Sequence, residues 1–168
     1  MIQQLEGHIT ENQINEIVRI IIDQYKKYCR LINCAQFLDI FSEEYAPHKE
    51  NHSISWAISS AFPSESIVAE NLQVKRLKYG RGHTRPALVN EHIELHILNY
   101  TVNRDSKYLK ERYAYNKNNF SNNKLYCFIM FKVENKQLVN LTLCLPDENG
   151  IPIEETLLDK SAILRKVA

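Results

Sequence analysis

The sequence predicts an α+β fold, in which an N-terminal layer of about three helices packs on a mostly antiparallel sheet with a central C-terminal hairpin. Two observations predict it. Apolar residues recur at helical spacing over about residues 10–63, and they alternate at strand spacing over about residues 70–158. The longest strongly apolar region, residues 124–145, has the pattern of a hairpin. A length of 168 residues fits a single domain, 1–168.

The first helix is predicted from a capping box followed by a long apolar stripe. Thr10 and Gln13 are spaced so that each side chain can bond the backbone N–H of the other. Further apolar residues predict a second helix over Cys34–Tyr45, which ends before Pro47, and a short third helix over Ile54–Phe62 after a polar loop. Three such helices fit either a plain helical layer, which we favour, or a helix-turn-helix.

The sheet begins with a predicted strand at Leu72–Tyr79, which an irregular alternation suggests is bulged. Gly80–Pro86 is predicted to be a loop, and Glu91–Tyr100 a half-buried strand. A helix is expected from about Asp105 to Tyr115. The chain then ends in an extended segment, Ile151–Leu158, and a short terminal helix.

The hairpin is predicted to turn at Asn135 and Lys136, because Asn tolerates the positive φ that a tight turn needs. Alternation in that register puts Cys127 opposite Cys144. It also predicts that one face is buried, whereas the opposite face is half-polar. The predicted buried set is Tyr126, Phe128, Met130, Val139, Leu141, Leu143 and Leu145.

Composition excludes several classes of protein. No apolar run approaches the roughly 20 residues that span a bilayer, so no membrane association is expected. The N-terminal residues lack the basic and apolar regions of a secretory signal, which predicts a cytoplasmic location. The four cysteines are therefore expected to be reduced thiols. Phosphate-binding, dinucleotide-binding and esterase glycine motifs are all missing from the sequence.

Charge is the most informative global property. The chain carries a net +1, but residues 71–124 hold eleven Lys/Arg and four Asp/Glu, a local +7. No acid stands between Glu70 and Glu91. Lys and Arg neutralise phosphates, and tyrosines interleaved with cations are typical of surfaces that stack bases. The candidate nucleic-acid-binding residues are Lys75, Arg76, Lys78, Arg81, His83, Arg85, Arg104, Lys107, Lys110 and Arg112.

A second constellation is His92, Glu94 and His96. On a strand these three side chains point to one side, and two imidazoles with a carboxylate can ligate zinc or another divalent metal. The same alternation is typical of any half-buried strand, which is the reading we favour. No other cofactor is indicated by the sequence.

These patterns favour non-enzymatic binding of nucleic acid or another polyanion through the basic strand and loop. One alternative is a small metal- or His-dependent nuclease built on His83, His92, Glu94 and His96. Another is a protein–protein interaction domain whose basic region meets an acidic partner or a second subunit. The sequence does not determine whether the protein is an enzyme, and it does not indicate an oligomeric state.

Overall fold

The computed structural model describes residues 8–32, 46–64, 66–68, 72–79, 83–100, 125–135, 137–146 and 152–167. These residues form an α+β fold with three helices and a seven-stranded, mostly antiparallel sheet. The predicted fold class is therefore confirmed. None of the helices in these segments is long and apolar enough to cross a membrane.

The helices are α1 (Glu11–Ile32), α2 (Ala46–Ser60) and α3 (Lys160–Val167). The predicted capping box begins α1, since the Gln13 N–H donates to Thr10 Oγ1 at 3.2 Å and the Thr10 N–H donates to Gln13 Oε1 at 2.7 Å. Asp159 caps α3 by accepting the Ala162 N–H at 2.8 Å. Polar side chains thus satisfy free N–H groups at the beginning of α1 and of α3.

Helix α2 corrects the prediction of a polar loop before Ile54. The helix already begins at Ala46, and Pro47 is its second residue. Proline is tolerated in the first turn, because the N–H that it lacks would have no partner inside the helix there. The helices predicted over Cys34–Tyr45 and from about Asp105 to Tyr115 lie outside the described residues.

The seven strands lie side by side in chain order, and every neighbouring pair is antiparallel except β4 and β5, which are parallel. A parallel pair needs a crossover connection, so the strands cannot form one continuous meander. The strands are β1 (Ile67–Val68), β2 (Leu72–Tyr79), β3 (His83–Val89), β4 (Ile93–Asn99), β5 (Leu125–Glu134), β6 (Gln137–Pro146) and β7 (Pro152–Leu158).

Strand β3 begins at His83, inside the segment predicted to be a loop. Its Pro86 pairs with Arg76 of β2. The Val74 N–H bonds to Ser66 O on the outer side of β2, and by alternation the Arg76 N–H points outward too. Pro86 therefore occupies a non-hydrogen-bonded position, where its missing N–H removes no bond to β2. The pairing of β2 with β3 runs without the bulge that was predicted.

The β5–β6 hairpin confirms the predicted turn, with Glu134 opposite Gln137 and a φ of 45° at Asn135. The predicted register fails two residues further on, where a bulge between Lys132 and Val133 shifts the pairing. Phe128 rather than Cys127 then lies opposite Cys144. The shift moves two sets of residues that were predicted to share a face to opposite faces, so that prediction is wrong. One set is Tyr126, Phe128 and Met130, and the other is Leu141, Leu143 and Leu145.

The main core lies between the helices and one face of the sheet, here called the helix side. It joins Ile17 and Ile21 of α1 and Ile58 of α2 with Leu95 of β4 and Ile129 of β5. The opposite face carries a second buried cluster of Leu98, Phe128, Met130 and Cys144, against which Tyr100 packs. All seven residues of β4 are buried, so the prediction of a half-buried strand is wrong.

Candidate functional site

The β2–β3 hairpin contains five residues of the predicted basic surface, namely Lys75, Arg76, Lys78, His83 and Arg85. Its ladder runs from Gln73 opposite Val89 to Tyr79 opposite His83. Side chains alternate along each strand, and Val74 and Leu88 belong to the helix-side core. Lys75 and Arg85 therefore lie on the opposite face, where Lys75 is exposed and Arg85 is half-buried.

Arg76 lies on the helix side and has a structural role. Its guanidinium donates to Ser59 O at 2.8 Å and to Phe62 O at 3.3 Å, at the C-terminal end of α2. Carbonyl groups there lack partners within the helix, and a cation at this end is also favoured by the helix dipole. Arg76 thus joins α2 to β2. Lys75 and Arg85 are the predicted cations that the structure places together on the other face of the sheet.

The other predicted cations are described less fully or not at all. The backbone of Lys78 lies in β2 opposite Thr84, and that of His83 lies in β3. The remaining candidates lie outside the described residues; they are Arg81, Arg104, Lys107, Lys110 and Arg112.

The predicted metal set is divided in the structure. His92 precedes β4 and belongs to a turn in which Asn90 Oδ1 accepts the N–H groups of His92 and Ile93, each at 2.8 Å. The Nε2 of His92 lies 3.1 Å from Glu91 Oε1, at the surface. Because β4 begins only at Ile93, His92 does not share the strand alternation of Glu94 and His96.

Glu94 and His96 form a buried pair on the face opposite the helices. The Nε2 of His96 lies 2.8 Å from Glu94 Oε1, and the His96 side chain is 0% exposed. The ring stacks on two neighbours, with centroids 5.5 Å from Phe128 and 6.5 Å from Tyr126. A buried polar group needs a hydrogen-bond partner, which each residue supplies to the other. Across the described segments, no three His, Cys, Asp or Glu side chains are grouped to hold a metal ion.

Sequence reasoning missed His8, which lies beside His92. Their ring centroids are 5.7 Å apart at an edge-on angle of 67°, and the Asn90 amide donates to His8 O at 3.2 Å. Within the part of the chain that the structure describes, His8 Nδ1 is buried without a hydrogen-bond partner. His8 stands before the first helix, where no repeated pattern draws attention to it.

The described cysteines are free thiols, as predicted. Burial raises the pKa of Cys127 well above its ordinary range and raises the pKa of Cys144 to about 12. Thiols in this state stay protonated near neutral pH, and the thiolate is the reactive form. Their burial therefore does not favour a nucleophilic role for Cys127 or Cys144.

Comparison with known proteins identifies no relative: no family model, no curated protein and no solved structure matches the chain. Any functional assignment consequently depends on the residues described above.

Proposed function

We propose that this protein binds nucleic acid, without catalysis, through the face of the β2–β3 hairpin that carries Lys75 and Arg85. The observation that carries the proposal is the charge distribution. Residues 71–124 have a net charge of +7 in a chain whose total is +1, so the remaining residues have a net charge of −6. A local excess of Lys and Arg of this size favours contact with a phosphate backbone.

The hairpin supports the proposal by its geometry. Lys75 lies opposite Ala87, and Arg85 is two residues from Ala87 on the same strand. Diagonal neighbours of this type have their Cα atoms about 7–8 Å apart, so two long side chains reach the same stretch of phosphate backbone.

Fluorescence anisotropy with random-sequence duplex DNA and single-stranded RNA, over a range of salt concentrations, tests the proposal. We expect affinity to fall steeply with salt, because bound cations release counterions from the phosphates. The double variant Lys75→Gln/Arg85→Gln should bind more weakly, and its plot of log affinity against log salt should be shallower by about two.

A matched control removes the same charges elsewhere. Lys132 pairs with Glu134 at 2.6 Å, and Arg19 lies 3.0 Å from Asp23 on α1. Lys132→Gln/Arg19→Gln therefore changes the net charge equally, and we expect it to leave most of the affinity intact. Equal weakening by both double variants, or no binding at low salt, would contradict the proposal. Cleavage of the probe with Mg²⁺, Mn²⁺ or Zn²⁺ would replace it with the nuclease alternative.

A further inference from the structure

Within the described residues, strand β2 is paired on its outer side along its first residues only. Strand β1 has two residues, with Ile67 opposite Gln73 and Val68 opposite Leu72. One further bond joins the Val74 N–H to Ser66 O at 2.8 Å. Beyond Val74, no strand in the described part of the chain pairs with the outer side of β2.

The open part of β2 has a defined set of backbone groups. In an antiparallel strand the N–H and C=O of one residue point to the same side, and the side alternates along the chain. Since Val74 points outward, the N–H and C=O groups of Arg76 and Lys78 point outward as well. They form an edge to which another strand can add by main-chain hydrogen bonds.

The opposite edge of the sheet is β7, which is seven residues long and pairs with β6 on its inner side. It carries two successive acids, Glu154 and Glu155. Glu154 lies opposite Cys144, whose side chain belongs to the cluster on the face away from the helices. Alternation puts Glu155 on the helix side. Glu154 therefore lies on the same face as Lys75.

Charge determines which edges can meet. Joining β2 to β2 would bring together two segments that each carry Lys75, Arg76 and Lys78, and joining β7 to β7 would bring together two segments that each carry Glu154 and Glu155. Like charges on neighbouring strands are destabilising, whereas opposite charges stabilise a pair. Ile67, 75% exposed, adds apolar surface beside the open part of β2.

We infer that the open edge of β2 binds the β7 edge of a second copy of this chain. Between β2 and β7 there are four antiparallel pairings and one parallel pairing, so β2 and β7 have the same strand direction within one molecule. A second copy displaced along the sheet, and turned to follow the twist of the sheet, brings its β7 parallel to β2, with Lys75 and Glu154 on a common face. This contact uses two different surfaces, so it does not close into a dimer and instead adds copies in a row.

Sedimentation velocity over a range of protein concentrations tests the inference. At low salt we expect the average mass to rise past the dimer as concentration increases, and at high salt to return to the monomer. Lys75→Glu and Glu154→Lys should each abolish the association. The double variant Lys75→Glu/Glu154→Lys should restore it, because the two charges are exchanged.

Three further variants separate edge pairing from general charge effects. Lys78→Pro removes an outward N–H while leaving the bonds between β2 and β3, so it should abolish association without unfolding the sheet, whereas Lys78→Gln, which loses the same charge, should leave association in place. Glu155→Lys changes charge by the same amount as Glu154→Lys but on the other face, and it should leave association in place. A wild-type monomer at every concentration, a species that stops at the dimer, or association that survives Lys78→Pro would each overturn the inference.

Discussion

The hydroxyl oxygen of Tyr25 accepts a hydrogen bond from the backbone N–H of Leu138 at 3.1 Å, across 113 positions of sequence. The bond joins α1 to β6 next to the bulge in the β5–β6 hairpin. It supplies a side-chain acceptor to a backbone donor where the ladder is irregular.

We expect Tyr25→Phe to lower the free energy of unfolding by about 1–3 kcal/mol, because it leaves the buried Leu138 N–H without this acceptor. Tyr28→Phe is the matched control. Its hydroxyl lies 2.6 Å from Ser53 Oγ, which is only half-buried and can turn to water. Denaturant unfolding measures both losses, and the prediction fails if Tyr28→Phe costs as much as Tyr25→Phe.

The turn of the hairpin gives a second prediction. Asn135 has a φ of 45°, in the left-handed region that Asn and Gly adopt more readily than other residues. Asn135→Ala should therefore destabilise the protein by about 1 kcal/mol, whereas Asn135→Gly should change stability much less. Unfolding midpoints measure the difference. Equal effects of Ala and Gly would mean that the turn tolerates either backbone conformation.

The buried pair of Glu94 and His96 gives a third prediction. His96→Leu removes the imidazole that lies 2.8 Å from the Glu94 carboxylate, and we expect a loss of about 1–3 kcal/mol. His92→Leu is the control, since His92 is 43% exposed beside an exposed Glu91, and its loss should stay within about 0.5 kcal/mol. A double-mutant cycle with Glu94→Gln measures the coupling of the buried pair, and additive losses would contradict it.

Alkaline pH should destabilise the fold, because a buried thiol and a buried phenol resist losing their protons in the folded state. Burial raises the pKa of Cys144 from its ordinary value of 9.0 to about 12, and burial likewise raises the pKa of Tyr25 from 10.0 to about 12. The unfolded chain ionises first, so the free energy of unfolding should hold up to about pH 9 and fall between about pH 9 and 12.

Unfolding measured at intervals across this range checks the sign, and Cys144→Ala should make the fall shallower than in the wild type. The comparison uses slopes rather than absolute stabilities, because the substitution also leaves a small cavity. A free energy of unfolding that stays constant to pH 12 would contradict the prediction.

The helical layer was predictable where local signals agree. Helix α1 has both a capping box and an unbroken apolar stripe, so its beginning and its buried face follow from sequence. Helix α2 was only partly predictable, since Pro47 ends a helix or begins one according to its surroundings. Strand β3 was missed because Gly80, Gly82 and Pro86 together indicate a loop.

The sheet surfaces were harder to predict, because a face depends on register. One bulge beside Val133 exchanged the predicted neighbours of β5 and β6. The polar side chains of Glu94 and His96 suggested that one face of β4 is exposed. The contact between these two side chains allows both to be buried. Lys75 and Arg76 look equivalent in composition. Alternation from Leu72 and Val74 already predicts that they face opposite ways, and this signal could have separated the surface cation from the structural one.

The parallel contact between β4 and β5 also bears on the order of folding. The other strand pairs join segments that are close in sequence, whereas this one brings Ile93 opposite Leu125. Closing a longer loop costs more chain entropy before any contact stabilises it. We therefore expect two local antiparallel units, β1–β4 and β5–β7, to form early. The seam between them should close last, so that substitutions along it mainly change the unfolding rate.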